Sequence, residues 1–66
     1  MSVFALQVFH GQAALPTEVV FCSTATHVVA RIPPLLQKHP GCAHISVYAR
    51  ELKLFSVDHT GRTLAT

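Results

Sequence analysis

The sequence predicts a small α+β domain: an antiparallel-rich sheet with one Pro-kinked helix packed on one face, in the order β(β)αββ. Three observations predict it. Residues 3–9 (VFALQVF) have the β-branched and aromatic composition of a strand. Between Ala25 and His39, apolar residues recur at helical spacing. Residues 44–50 and 52–58 alternate apolar with polar side chains and read as a hairpin. No repeat, linker or low-complexity stretch divides the chain, so residues 1–66 form a single domain.

The first strand carries Val3, Ala5, Gln7 and Phe9 on one face and Phe4, Leu6, Val8 and His10 on the other. Both faces are largely apolar, so cover on both sides is expected. His10-Gly11-Gln12 ends this strand. Residues 17–22 (TEVVFC) fit either a strand or a helix start, and Val19, Val20 and Phe21 favour the strand.

Ser23 and Thr24 are N-cap candidates for the helix that follows. Ala25, Val28, Val29, Ile32, Leu35, Leu36 and His39 fall within an arc of about 120° on a helical wheel. Pro33-Pro34 stands in the way, because each proline removes a hydrogen bond and crowds the preceding turn. The apolar stripe nevertheless keeps its phase across them. Both prolines fall outside the stripe, where proline bends a helix around whatever it covers. One bent helix is therefore expected, stopped by His39-Pro40-Gly41.

With Arg50-Glu51 as the hairpin turn, Ala49 faces Leu52, Val47 faces Leu54 and Ile45 faces Ser56. On the other face Tyr48 lies opposite Lys53, Ser46 opposite Phe55 and His44 opposite Val57. Neither turn residue suits a positive φ. Thr60-Gly61 turns the chain once more and brings Leu64 beside Val57.

Half of the 66 residues are hydrophobic, against five basic and three acidic ones. A chain this short buries only about 60% of its unfolded surface, so apolar side chains are left to meet another surface. A homodimer is the expected answer, because one self-complementary patch serves both copies. Residues 1–9 lack a basic residue and no stretch reaches the ~18 apolar residues of a membrane span. A cytoplasmic protein with no membrane partner, and with Cys22 and Cys42 reduced, is expected. The net charge of +2 permits a nucleic-acid partner without demanding one.

The hairpin supplies the candidate site. Tyr48 and Phe55 interleave with Lys53, His44 and the nearby Arg50, and Arg62 follows the next turn. Aromatic rings stack bases and cations hold phosphates, so Tyr48, Arg50, Lys53 and Arg62 are the candidate residues for DNA or RNA. The same residue types also suit an interface between proteins. The leading expectation is a homodimeric nucleic-acid-binding module. The alternative is a protein–protein interaction module with an exposed apolar docking face.

Other chemistries have less to stand on. His39, Cys42 and His44, with Cys22 and His27, lack the CxxC or HxxxH spacing of zinc ligands, so no metal is expected. The cysteines then read as small buried hydrophobes, and His39 as a core or helix-end histidine. Gly11, Gly41 and Gly61 look like turn residues, with no phosphate-binding loop and no cofactor implied. Glu18, Glu51 and Asp58 are scattered, and so short a chain has little room for a substrate pocket of the usual ~300 Å³ or more. No catalytic residues are expected.

Overall fold

A strand apolar on both faces belongs in the interior of a sheet, and the first one lies there, between two others. The structure, a computed structural model, describes residues 3–64. β1 (Phe4–Phe9) is followed by β2 (Glu18–Cys22), α1 (Ala25–Lys38), β3 (His44–Ala49), β4 (Leu52–Asp58) and β5 (Thr63–Leu64). The strands form one sheet in the order β2-β1-β3-β4-β5, with every neighbouring pair antiparallel. The ambiguous segment at 17–22 is a strand, and a short fifth strand closes the sheet after the Thr60-Gly61 turn.

α1 crosses from one side of β1 to the other and packs on a single face of the sheet, against β1 and β2. Its start is fixed by Thr24, whose backbone is extended and whose hydroxyl oxygen accepts from the backbone N–H of His27 at 3.2 Å. It ends at His39, whose N–H donates to the Leu35 carbonyl. The helix runs unbroken through Pro33 and Pro34, as the phase of its stripe requires. Val28 and Leu35 are buried, Ile32 and Leu36 pack half-buried beside them, and both prolines face solvent. Val29 departs from the expectation. It is 65% exposed, because it lies over the turn end of the β3–β4 hairpin, where Leu52 and Leu54 are also exposed and α1 gives no cover.

The core lies between that helix face and Leu6, Val8, Cys22, Ile45, Val47 and Val57, with Cys42 closing one end. The opposite face of β1 departs from expectation too. Ala5, Gln7 and Phe9 are half-buried there by their neighbours within the sheet, and no second layer covers them among the described residues.

The hairpin turn is at Arg50-Glu51 as expected, with Ala49 across from Leu52 and Tyr48 across from Lys53. Arg50 takes the positive φ of 58° that its side chain disfavours. Beyond Tyr48 the expected register is wrong by one residue. A β-bulge at Leu54 makes two residues of β4 oppose Val47, so Val47 faces Phe55, Ser46 faces Ser56, Ile45 faces Val57 and His44 faces Asp58. The bulge corrects the expected pairs Val47–Leu54, Ile45–Ser56, Ser46–Phe55 and His44–Val57. It also puts Val57 in the core. The last turn places Leu64 across from Ser56 and Thr63 across from Val57, again one residue from expectation.

Candidate nucleic-acid interface

The strand registers set out the uncovered face row by row. One row runs Phe21, Ala5, Tyr48, Lys53 across β2, β1, β3 and β4. The next runs Val19, Gln7, Ser46, Ser56, Leu64, and the third Phe9, His44, Asp58. Phe21 is 70% exposed. Tyr48 is half-buried, and Lys53 stands in solvent beside it. In the third row the rings of Phe9 and His44 stack, with centroids 4.8 Å apart and planes 18° from parallel. Ser46 and Ser56 are buried between these rows, so the face is dished at its centre and aromatic at its ends.

The four candidate residues are not all brought together. Tyr48 and Lys53 are direct cross-strand neighbours, and Arg50 sits at the turn next to them. Arg62 lies at the far end of β4, where its carbonyl accepts from the Asp58 N–H. Five residues of β4 separate Lys53 from that end, about 17 Å at the usual rise. Phe55 leaves the aromatic set. The bulge turns it towards the helix side, where it packs on the core.

Two groups had no sequence signal. Phe21 joins the platform only because β2 pairs with β1 in one particular register. A polar network joins elements far apart in the chain. His39 shares a hydrogen bond of 2.8 Å between Nε2 and Glu18 Oε1, and one of 3.1 Å between Nδ1 and His10 Nε2. Lys38 Nζ pairs with the same carboxylate at 3.0 Å. Both ring nitrogens of His39 are thus engaged, and its side chain is nearly enclosed. This is the helix-end histidine that its position on the apolar stripe suggested. The Glu18–His39–His10 chain ties the end of α1 to the β1–β2 loop. Among the described residues, no three His, Cys, Asp or Glu side chains stand close enough together to hold a metal ion.

The hydrogen bond from His39, helped by Lys38, holds the Glu18 carboxyl below its ordinary value. Thr60 and the Arg62 backbone do the same for Asp58, whose Oδ1 accepts from the Thr60 hydroxyl and from both N–H groups. Burial pushes the Cys42 thiol up. A depressed carboxylate stabilises the fold above its unfolded pKa, and that stabilisation is lost as pH falls through the folded value. Acidification through and below the carboxylate range is therefore expected to lower the melting temperature. Glu18→Gln should flatten part of that fall, which thermal melts from pH 7 to pH 2 will measure. An unchanged pH dependence would show that the pairing with His39 and Lys38 contributes nothing.

Both cysteines are buried and free. Among the described residues, no helix is long and apolar enough to cross a membrane. Comparison with protein-family models, with curated proteins and with solved structures finds no match.

Proposed function

We propose that the protein is a homodimeric binding module, not an enzyme, that holds single-stranded DNA or RNA on the uncovered sheet face. The observation that carries this reading is the row Phe21–Ala5–Tyr48–Lys53. It sets two aromatic residues two strands apart, about 10 Å at the usual strand spacing, across the small Ala5, with the exposed Lys53 beside one of them. Bases stack on such rings whatever their sequence, and the cation follows the phosphates. Arg50 adds a second cation at the same end, while Arg62 would meet only a strand that runs the length of β4. The two free thiols favour a reducing compartment, the cytoplasm. The prolines on the outer side of α1 suit a helix bent over the sheet.

The experiment is fluorescence anisotropy with labelled oligothymidine and oligouridine in a salt series. Affinity should fall steeply as salt rises. Lys53→Ala should weaken binding to every sequence alike and flatten the log–log salt slope by about one unit. Tyr48→Ala should cost about 1–3 kcal/mol on single strands. Arg31→Ala, on the exposed side of α1, should change little. Wild-type protein that shows no salt-dependent binding at low ionic strength overturns the reading.

A second reading has its own observation. Where the start of α1 stands beside the turn end of the hairpin, an apolar cleft of about 80 Å³ opens between Ala25, Val28 and Val29 on one wall and Phe4, Val47, Leu54 and Phe55 on the other. Leu52 extends the apolar surface and is largely exposed. A docking face for a partner protein would look like this, and its affinity would scarcely respond to salt.

A further inference from the structure

The two edges of the sheet are built differently. At one edge, β4 pairs with the two-residue β5 only at Ser56 and Val57. The rest of β4 carries Lys53 and the bulge at Leu54, two devices that keep other strands from pairing there. At the other edge, β2 has β1 on one side and no strand on the other among the described residues. Its sequence is EVVFC, with no proline, no lysine and no bulge, and its one charge, Glu18, sits at the end. Half of its backbone N–H and C=O groups point outward, the template on which another strand adds.

We infer that β2 pairs antiparallel with β2 of a second copy about a two-fold axis through Val20. This rests on the homodimeric reading above and says where that dimer is joined. The argument is in the register. β2 has five residues, so centring the axis on Val20 pairs every residue of one copy with one of the other. Val20 meets Val20, Val19 meets Phe21, Phe21 meets Val19, and Glu18 meets Cys22. Each Val19–Phe21 pair lies on the uncovered face and sets a β-branched side chain against an aromatic one, a favourable cross-strand pair. Glu18 never faces its own copy, so no like charges meet at the seam. The match holds whichever set of β2 residues points outward. The ladder then carries about four to six backbone hydrogen bonds. α1 lies on the opposite face, so the seam joins the two uncovered faces into one surface. Phe21, 70% exposed in a single copy, packs its edge against Val19 of the other.

Sedimentation equilibrium at micromolar concentration tests this. Wild-type protein should run at about twice 7.2 kDa. Phe21→Lys sets a lysine against Val19 in both copies and should give the monomer mass with an unchanged far-ultraviolet circular dichroism spectrum. Leu52→Lys, equally exposed but far from the seam, should leave the dimer intact. A second variant keeps the test open should Phe21→Lys misfold. Val20→Cys brings two thiols together across the axis and should give a covalent dimer under mild oxidation, while wild-type protein, in which Cys22 faces Glu18, should not. If the wild-type chain is a monomer, the homodimeric reading and the seam both fall. If it is a dimer that survives Phe21→Lys, or whose Val20→Cys form does not cross-link, the dimer stands and the seam is overturned.

Discussion

Leu6→Ala is expected to remove a large share of the protein's stability at 25 °C. Leu6 is fully buried at the middle of β1, with Val20 on one side and Val47 on the other. β1 is an interior strand, flanked by β2 and β3, so a void there loosens the packing of α1 and of both neighbouring strands. A Leu→Ala change at a buried site costs about 2–5 kcal/mol. A chain of this length has a total stability of about 3–10 kcal/mol at the usual value per residue. The expected loss therefore takes much of what there is. Urea titration followed by circular dichroism measures it, with Leu15→Ala as the control. Leu15 is 79% exposed in the β1–β2 loop, and its loss should stay within about 0.5 kcal/mol. A Leu6→Ala midpoint close to that of the control would place the centre of the core elsewhere. If the protein is the dimer inferred above, the titrations must be run at one fixed concentration, because its stability then depends on concentration.

The elements of this fold were legible wherever a single period governed a segment. β1 and the hairpin strands show the composition and alternation of strands, and α1 shows its stripe even through two prolines. The register of the hairpin was legible only as far as its turn. Ala49–Leu52 and Tyr48–Lys53 follow from counting outward, but the count assumes one residue per position and Leu54 breaks it. Nothing local announces that bulge, because LKLFSVD alternates well enough in either register. The candidate site inherits the same boundary. Tyr48, Lys53 and Arg50 lie on the turn side of the bulge and are neighbours as expected. Phe55 lies beyond it and changes face. Phe21 and Glu18 were illegible for a different reason. Their places depend on how β2 docks on β1 and on where α1 ends, and His39 meets Glu18 across 21 residues of chain. Excess apolar surface was legible as a quantity from composition alone. Its division between an uncovered sheet face, a bare edge strand and a cleft beside α1 is a property of the packing.

The prolines of α1 give the second large effect, with the opposite sign. Pro33 and Pro34 are the ninth and tenth of the 14 residues of α1. They cannot donate to the Val29 and Ala30 carbonyls one turn earlier, and their rings crowd those groups. Val29, Ala30, Pro33 and Pro34 all face solvent, so water can reach the carbonyls they leave free. An interior proline is about 3 kcal/mol less favourable than alanine in a helix. Against this, each proline stiffens the unfolded chain by about 0.4–1 kcal/mol. Pro34→Ala is therefore expected to stabilise the protein by about 2 kcal/mol. Pro33→Ala with Pro34→Ala should gain more, though less than the sum, because adjacent residues share one local distortion. For a domain of this size, 2 kcal/mol raises the melting temperature by roughly 8–16 °C, which differential scanning calorimetry at fixed concentration resolves easily. The contrary result would be equally informative. If the double variant melts lower than wild type, then α1 needs its prolines to keep Leu35 and Leu36 on the sheet, and straightening the helix lifts those side chains from the core.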